Sequence, residues 1–105
     1  MTFRSVASLV LAATLAVSAG VPVVRADDVG PEVAKRLLRE GRIMSLPDIL
    51  VEVRKQVPGE FLETELELED GIYVYEIKLL RPDGRLQEIE ADAATGKILK
   101  IEDDD

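Results

Sequence analysis

The spacing of hydrophobic residues changes twice along the chain. It is almost continuous from Val6 to Ala19, recurs every three or four residues from Leu46 to Val57, and alternates from Glu60 onward. A period near 3.6 marks a helix with one covered face, and a period of two marks a strand with one covered face. Leu46, Ile49, Leu50, Val53 and Val57 form one apolar stripe, which predicts an amphipathic helix. Ser45-Leu46-Pro47-Asp48 supplies its start, with the Ser45 hydroxyl placed to accept an early amide proton and Asp48 facing the positive end of the dipole. Arg54 and Lys55 favour its last turn and Pro58-Gly59 stops it. A shorter helix is predicted from Pro31 to Glu40, with Glu32 near its positive end, Lys35, Arg36 and Arg39 toward its negative end, and Gly41 as the cap.

Beyond Glu60, the turn signals Asp70-Gly71, Pro82-Asp83-Gly84 and Thr95-Gly96 divide the chain into four strand-like pieces, hence a four-stranded antiparallel meander. A two-residue turn at Asp70-Gly71 sets Leu68 opposite Tyr73, Leu66 opposite Tyr75, Thr64 opposite Ile77 and Leu62 opposite Leu79, all on one face. A type I turn with a glycine bulge at Pro82-Asp83-Gly84 pairs Arg81 with Arg85 and brings Ile89 and Ala91 to that same face. The last turn closes with three or with four loop residues. Three put Leu99 and Ile101 on the apolar face and four put Ile98 and Lys100 there; the first is expected, because it buries no unpaired ammonium. The expected fold is α+β: the meander with one amphipathic helix packed on one face, preceded by a short helix.

Residues 1–26 have the three-part plan of a secretory signal peptide: a positive start with Arg4, the apolar run, then a looser stretch ending Val24-Arg25-Ala26. Cleavage is expected after Ala26 rather than Ala19, because the composition turns charged at Asp27-Asp28. The apolar run is shorter than the ~20 residues of a membrane span, and without Cys there is no lipid attachment point. The expected product is periplasmic or secreted and has no stable membrane anchor. The domain plan is therefore signal peptide 1–26, short helix and linker 27–45, folded domain 46–102 and acidic tail 103–105. The formal net charge of the chain is −8. Losing Arg4 and Arg25 with the leader makes it more negative, which repels nucleic acid and anionic lipid.

Composition then narrows the chemistry. There is no His, Cys or Trp, which removes the usual neutral-pH base, the thiolate nucleophile and the His/Cys ligands of zinc, haem and iron-sulfur sites. A carboxylate-pair hydrolase is left, but so small a two-layer domain offers little cleft for it. No enzyme activity, catalytic residue or cofactor is expected. The polar face of the meander sets Glu63, Glu65, Glu67 and Glu69 beside Ile72, Val74, Glu76 and Lys78, with Glu88 and Glu90 beyond. Lys78 is expected between Glu63 and Glu88, and Glu65, Glu76 and Glu90 side by side. Such a row is a solvated face protecting an edge strand or a cation site, so Glu65, Glu76 and Glu90 are the candidate metal residues.

Two stretches carry a resemblance. Tyr75-Glu76-Ile77-Lys78-Leu79-Leu80-Arg81-Pro82-Asp83-Gly84-Arg85, followed by Ile89-Glu90-Ala91-Asp92-Ala93-Ala94-Thr95-Gly96-Lys97-Ile98-Leu99, resembles the PepSY family, with its Y-x-V strand, tight turn and D-A-x-T-G-x-[VI]-L ending. The resemblance covers about residues 46 to 102. It implies a non-catalytic binding or inhibitory module outside the cytoplasm, with a protein partner such as a peptidase or a signalling protein. Asp92, Ala93, Thr95 and Gly96 are read as turn architecture: Gly96 supplies a positive φ, and Asp92 and Thr95 offer side-chain oxygens to loop amides. The expected function is peptidase or partner regulation by protein binding; the alternative is a cation-responsive or cation-buffering protein using the acidic face.

Overall fold

The computed structural model describes residues 27–104; the expected leader, with its expected cleavage after Ala26 rather than Ala19, and Asp105 of the tail lie outside the described residues. The elements follow in the order β1 (Asp27–Asp28), α1 (Pro31–Arg39), α2 (Leu46–Arg54), β2 (Glu60–Glu69), β3 (Ile72–Leu80), β4 (Leu86–Asp92) and β5 (Ile98–Asp103). The strands form one antiparallel sheet in sequential order. Among the described residues it has five strands where the hydrophobic pattern predicts four. The additional strand β1 pairs Asp27 with Leu68 and Asp28 with Glu67, so β2 is covered at that end rather than lying at the open edge. Two aspartates have low strand propensity; neighbouring backbone, through a Val29 N–H bond to the Leu66 carbonyl of 2.9 Å, holds them in the sheet.

The predicted Ser45 cap of α2 and Gly41 ending of α1 are present, whereas α2 ends at Arg54 with Lys55 as its C-cap, ahead of the predicted stop at Pro58-Gly59. The Asp48 amide donates to Ser45 Oγ at 3.4 Å. At the end of α1, Gly41 N–H donates to the Leu38 carbonyl and Arg42 N–H to the Leu37 carbonyl, the paired bonds of a Schellman ending. Leu37, Ile49 and Val53 are fully buried and join Ile43, Val57, Tyr75, Ile77, Leu79, Ile89, Ala91 and Ala93 in one core. α1 is therefore part of the core as well as α2. Tyr75 ties the layers together, its hydroxyl donating to the Met44 carbonyl at 3.0 Å.

The first two hairpins have the predicted registers from Thr64↔Ile77 through Glu69↔Ile72 and from Ile77↔Ile89 to Tyr75↔Ala91. The expected pair Leu62–Leu79 does not form. A bulge between Phe61 and Glu63 sets Phe61 opposite Leu79 and leaves Leu62 half exposed. The larger aromatic surface goes to the helix side, where Phe61 packs on the core and the Arg54 guanidinium lies 4.6 Å from its ring centre.

The last turn also departs from the expected three-residue closure. Asp92 N–H donates to the Lys97 carbonyl and Gly96 N–H to the Asp92 carbonyl, so four residues form the loop and Ile98 lies opposite Ala91 on the core side. A bulge at Leu99 then resets the strand, giving Glu90↔Lys100 and Ile89↔Ile101. Ile101 stays on the apolar face and Lys100 goes to the acidic one; the extra residue avoids burying the ammonium that a regular four-residue hairpin would bury. Within the acidic tail, Asp103 is the last residue of β5 and the Asp104 amide donates to the Leu86 carbonyl.

Candidate functional site

The face of the sheet away from the helices is built by alternation. Each Glu at an odd position of β2 points there because Leu66 and Leu68 point to the core. Glu65 pairs with Glu76, and Glu76 with Glu90, so the register of the predicted row is present. The carboxyl groups nevertheless gather differently. Glu76 interacts with Glu67 and Glu88, and Glu90 with Glu69. Among the described residues, the acidic trio whose oxygens converge is Asp28, Glu65 and Glu67, with one oxygen of each within 4.8 Å of the others. Sequence reasoning identified Glu65 and missed Asp28 and Glu67; alternation places Glu67 on this face, but no local signal announces β1.

Crowding and burial set the electrostatics. Burial is the main cause that pushes Glu76 up to about 8, helped by shared-proton contacts and repulsion with Glu88 and Glu67. Burial also pushes Glu90 up to about 7, again with a contact and repulsion from Glu69, against the attraction of Lys100. Glu67 is raised first by burial and then by the charges of Glu65, Asp28 and Glu69, with an opposing hydrogen bond from Glu76. The basic side chains are engaged nearby: Lys78 Nζ lies 3.7 Å from Glu63 and 3.9 Å from Asp104, and Lys100 Nζ lies 2.8 Å from Glu102. Glu88, the second expected neighbour of Lys78, remains opposite it in register.

Toward the β5 end the same face opens into a groove of about 260 Å³, lined by Ile72, Val74 and Leu99 with Glu69, Asp70, Glu90 and Lys100 around them. The Leu99 bulge creates its far wall. Ile72 and Leu99 are half exposed, whereas Val74 is buried. An apolar floor inside an acidic rim suits an apolar side chain flanked by basic ones. β5 borders the groove and, among the described residues, pairs only with β4.

The Asp92-to-Gly96 turn does more than reverse the chain. Asp92 Oδ1 accepts the Ala94 amide at 2.8 Å and Thr95 Oγ1 accepts the Lys97 amide at 3.2 Å. The buried Ala93 donates its amide to the Tyr73 carbonyl and accepts the Met44 amide at 2.7 Å. Gly96, at φ +79, sits where a Cβ would lie 3.1 Å from Glu52 Cγ of α2. The turn thus fastens the interhelical linker and α2 to the end of the sheet.

A relative is the uncharacterized protein YkoJ of Bacillus subtilis (strain 168), 39% identical over 51 residues, which cover 49% of this chain and 30% of that protein. The chain thus spans less than a third of that relative's length. No solved structure matches. The family model described as "Peptidase propeptide and YPEB domain" matches residues 44–102, from the Met44 linker bond through the Asp92–Gly96 turn to β5. The chain belongs to the PepSY family.

Proposed function

We propose that the chain is a non-catalytic module that acts outside the cytoplasm, binding a peptidase or the regulator of one through the groove of Ile72, Val74 and Leu99 and the adjoining edge of β5. The observation that carries this reading is the apolar floor within an acidic rim, next to a strand that, among the described residues, is paired on one side only. An extended segment added to β5 gains main-chain hydrogen bonds whatever its sequence, and basic side chains within it meet Glu69, Asp70 and Glu90. Family membership supports a peptidase-linked role. The leader-like residues 1–26 support export, and among the described residues no helix is long and apolar enough to cross a membrane.

A photo-reactive residue at Leu99, with one at the exposed Val51 of α2 as control, tests this in the producing cell. The expected result is an adduct with an exported peptidase or its regulator from position 99 and none from position 51. Equal labelling at both positions, or a partner confined to the cytoplasm, overturns it.

A further inference from the structure

The converging acidic trio lies at the β1 edge of the sheet, separate from the Leu99 groove. Asp28 stands directly opposite Glu67 in the β1–β2 register, and Glu65 is the next residue of β2 on that face. Glu67 is 6% exposed, and its Oε2 is buried with no hydrogen-bond partner among the described residues. A carboxylate oxygen removed from water needs a proton, a basic side chain or a metal ion. Glu76 of β3 gives the Glu67 carboxyl one hydrogen bond, whereas Asp28 and Glu65 bring only further negative charge to it, which a cation would relieve. The lysines of this face are directed elsewhere, Lys78 to Glu63 and Asp104 and Lys100 to Glu102.

We propose that Asp28, Glu65 and Glu67 bind one Ca²⁺ ion, which ties the two-residue strand β1 to β2. An all-oxygen donor set selects hard cations over zinc or copper. The openness of the site favours the larger one: Ca²⁺ takes carboxylate and water oxygens in a flexible shell, whereas Mg²⁺ demands near-ideal octahedral geometry and gives up its waters reluctantly. Asp28 and Glu65 are exposed, which leaves room for the waters that complete a calcium shell. With few ligands from the protein, the affinity belongs in the range of extracellular modules, ~0.1–1 mM. The ion would bind a strand otherwise held by two register pairs and the Val29 amide bond.

The test follows the melting temperature of the purified chain, freed of divalent ions by chelation, during titration with CaCl₂. MgCl₂ at matched ionic strength is the control, and Asp28→Asn and Glu65→Gln, both at exposed positions, are measured alongside. Expected are a saturable rise of several degrees with Ca²⁺, a response to Mg²⁺ at least tenfold weaker, and a Ca²⁺ response weakened at least tenfold in both variants. Slower amide exchange at Asp28 and Val29 with Ca²⁺ accompanies it. Equal responses to the two ions, or an unchanged Ca²⁺ response in both variants, overturns the proposal whatever becomes of the binding-module reading.

Discussion

Gly59 closes the turn out of α2 in a conformation that leaves no room for a methyl group. At φ +149 its Cβ would lie 2.5 Å from the Leu80 carbonyl oxygen and 2.8 Å from Leu79 Cδ2. Backbone on one side and a fully buried Leu79 on the other cannot both yield. Gly59→Ala is expected to cost about 2–4 kcal/mol in urea unfolding. Gly96→Ala meets only the flexible Glu52 side chain at 3.1 Å along with an unfavourable φ, and is expected to cost about 1–2 kcal/mol. Equal costs would show that conformation alone, without the close approach to β3, sets the penalty. The sequence marks both glycines as punctuation; their neighbours come from strands and helices distant in sequence, which turn chemistry does not specify. Glu67 is a similar case, since alternation fixes its face but its burial depends on β1 lying across it.

Elements were legible where two local signals agreed. The Asp70-Gly71 turn, with Asp70 at φ +49 and Gly71 at φ +80, and the Pro82-Asp83-Gly84 turn each specify a register that alternation supports independently. The bulges at Leu62 and Leu99 answer to packing instead: a ring against the helix layer in one case, an ammonium kept in water in the other. α1 shows the same division. Its caps are local, but its place in the core is not, and it lies outside the residues 44–102 that match the family. Leu37 is fully buried and Leu38 is 45% exposed, so Leu37→Ala is expected to cost about 2–5 kcal/mol and Leu38→Ala under ~0.5 kcal/mol. A negligible effect at Leu37, measured by the same denaturant midpoint, would mean that α1 opens before the sheet and does not share its cooperative unit.

Across the whole molecule, acidic groups are concentrated on one face of a thin two-layer fold, so pH acts on the fold through that face. Glu90 is pushed up to about 7 by burial and by Glu69, above its ordinary value near 4.5 in an unfolded chain. Around it stand Glu69 and Asp70 of the first hairpin, Glu76 of β3, Glu88 of β4 and Lys100 of β5. An acid whose folded-state value is raised binds its proton more tightly when folded, so its contribution is favourable below about 4.5 and is lost as pH rises through about 7. Glu76, raised to about 8, acts in the same direction over a longer interval. Stability is therefore expected to fall between pH 5 and pH 8, against the usual behaviour of ion-paired carboxylates. Partial exposure screens the effect to about 1–2 kcal/mol, or roughly 5–10 °C in melting temperature for a domain of this size. Glu90→Gln keeps the shape without the charge, and should raise the melting temperature at pH 8 while leaving it nearly unchanged at pH 5. A variant that shifts both temperatures equally would place the cause in packing around Glu90 rather than in its ionisation.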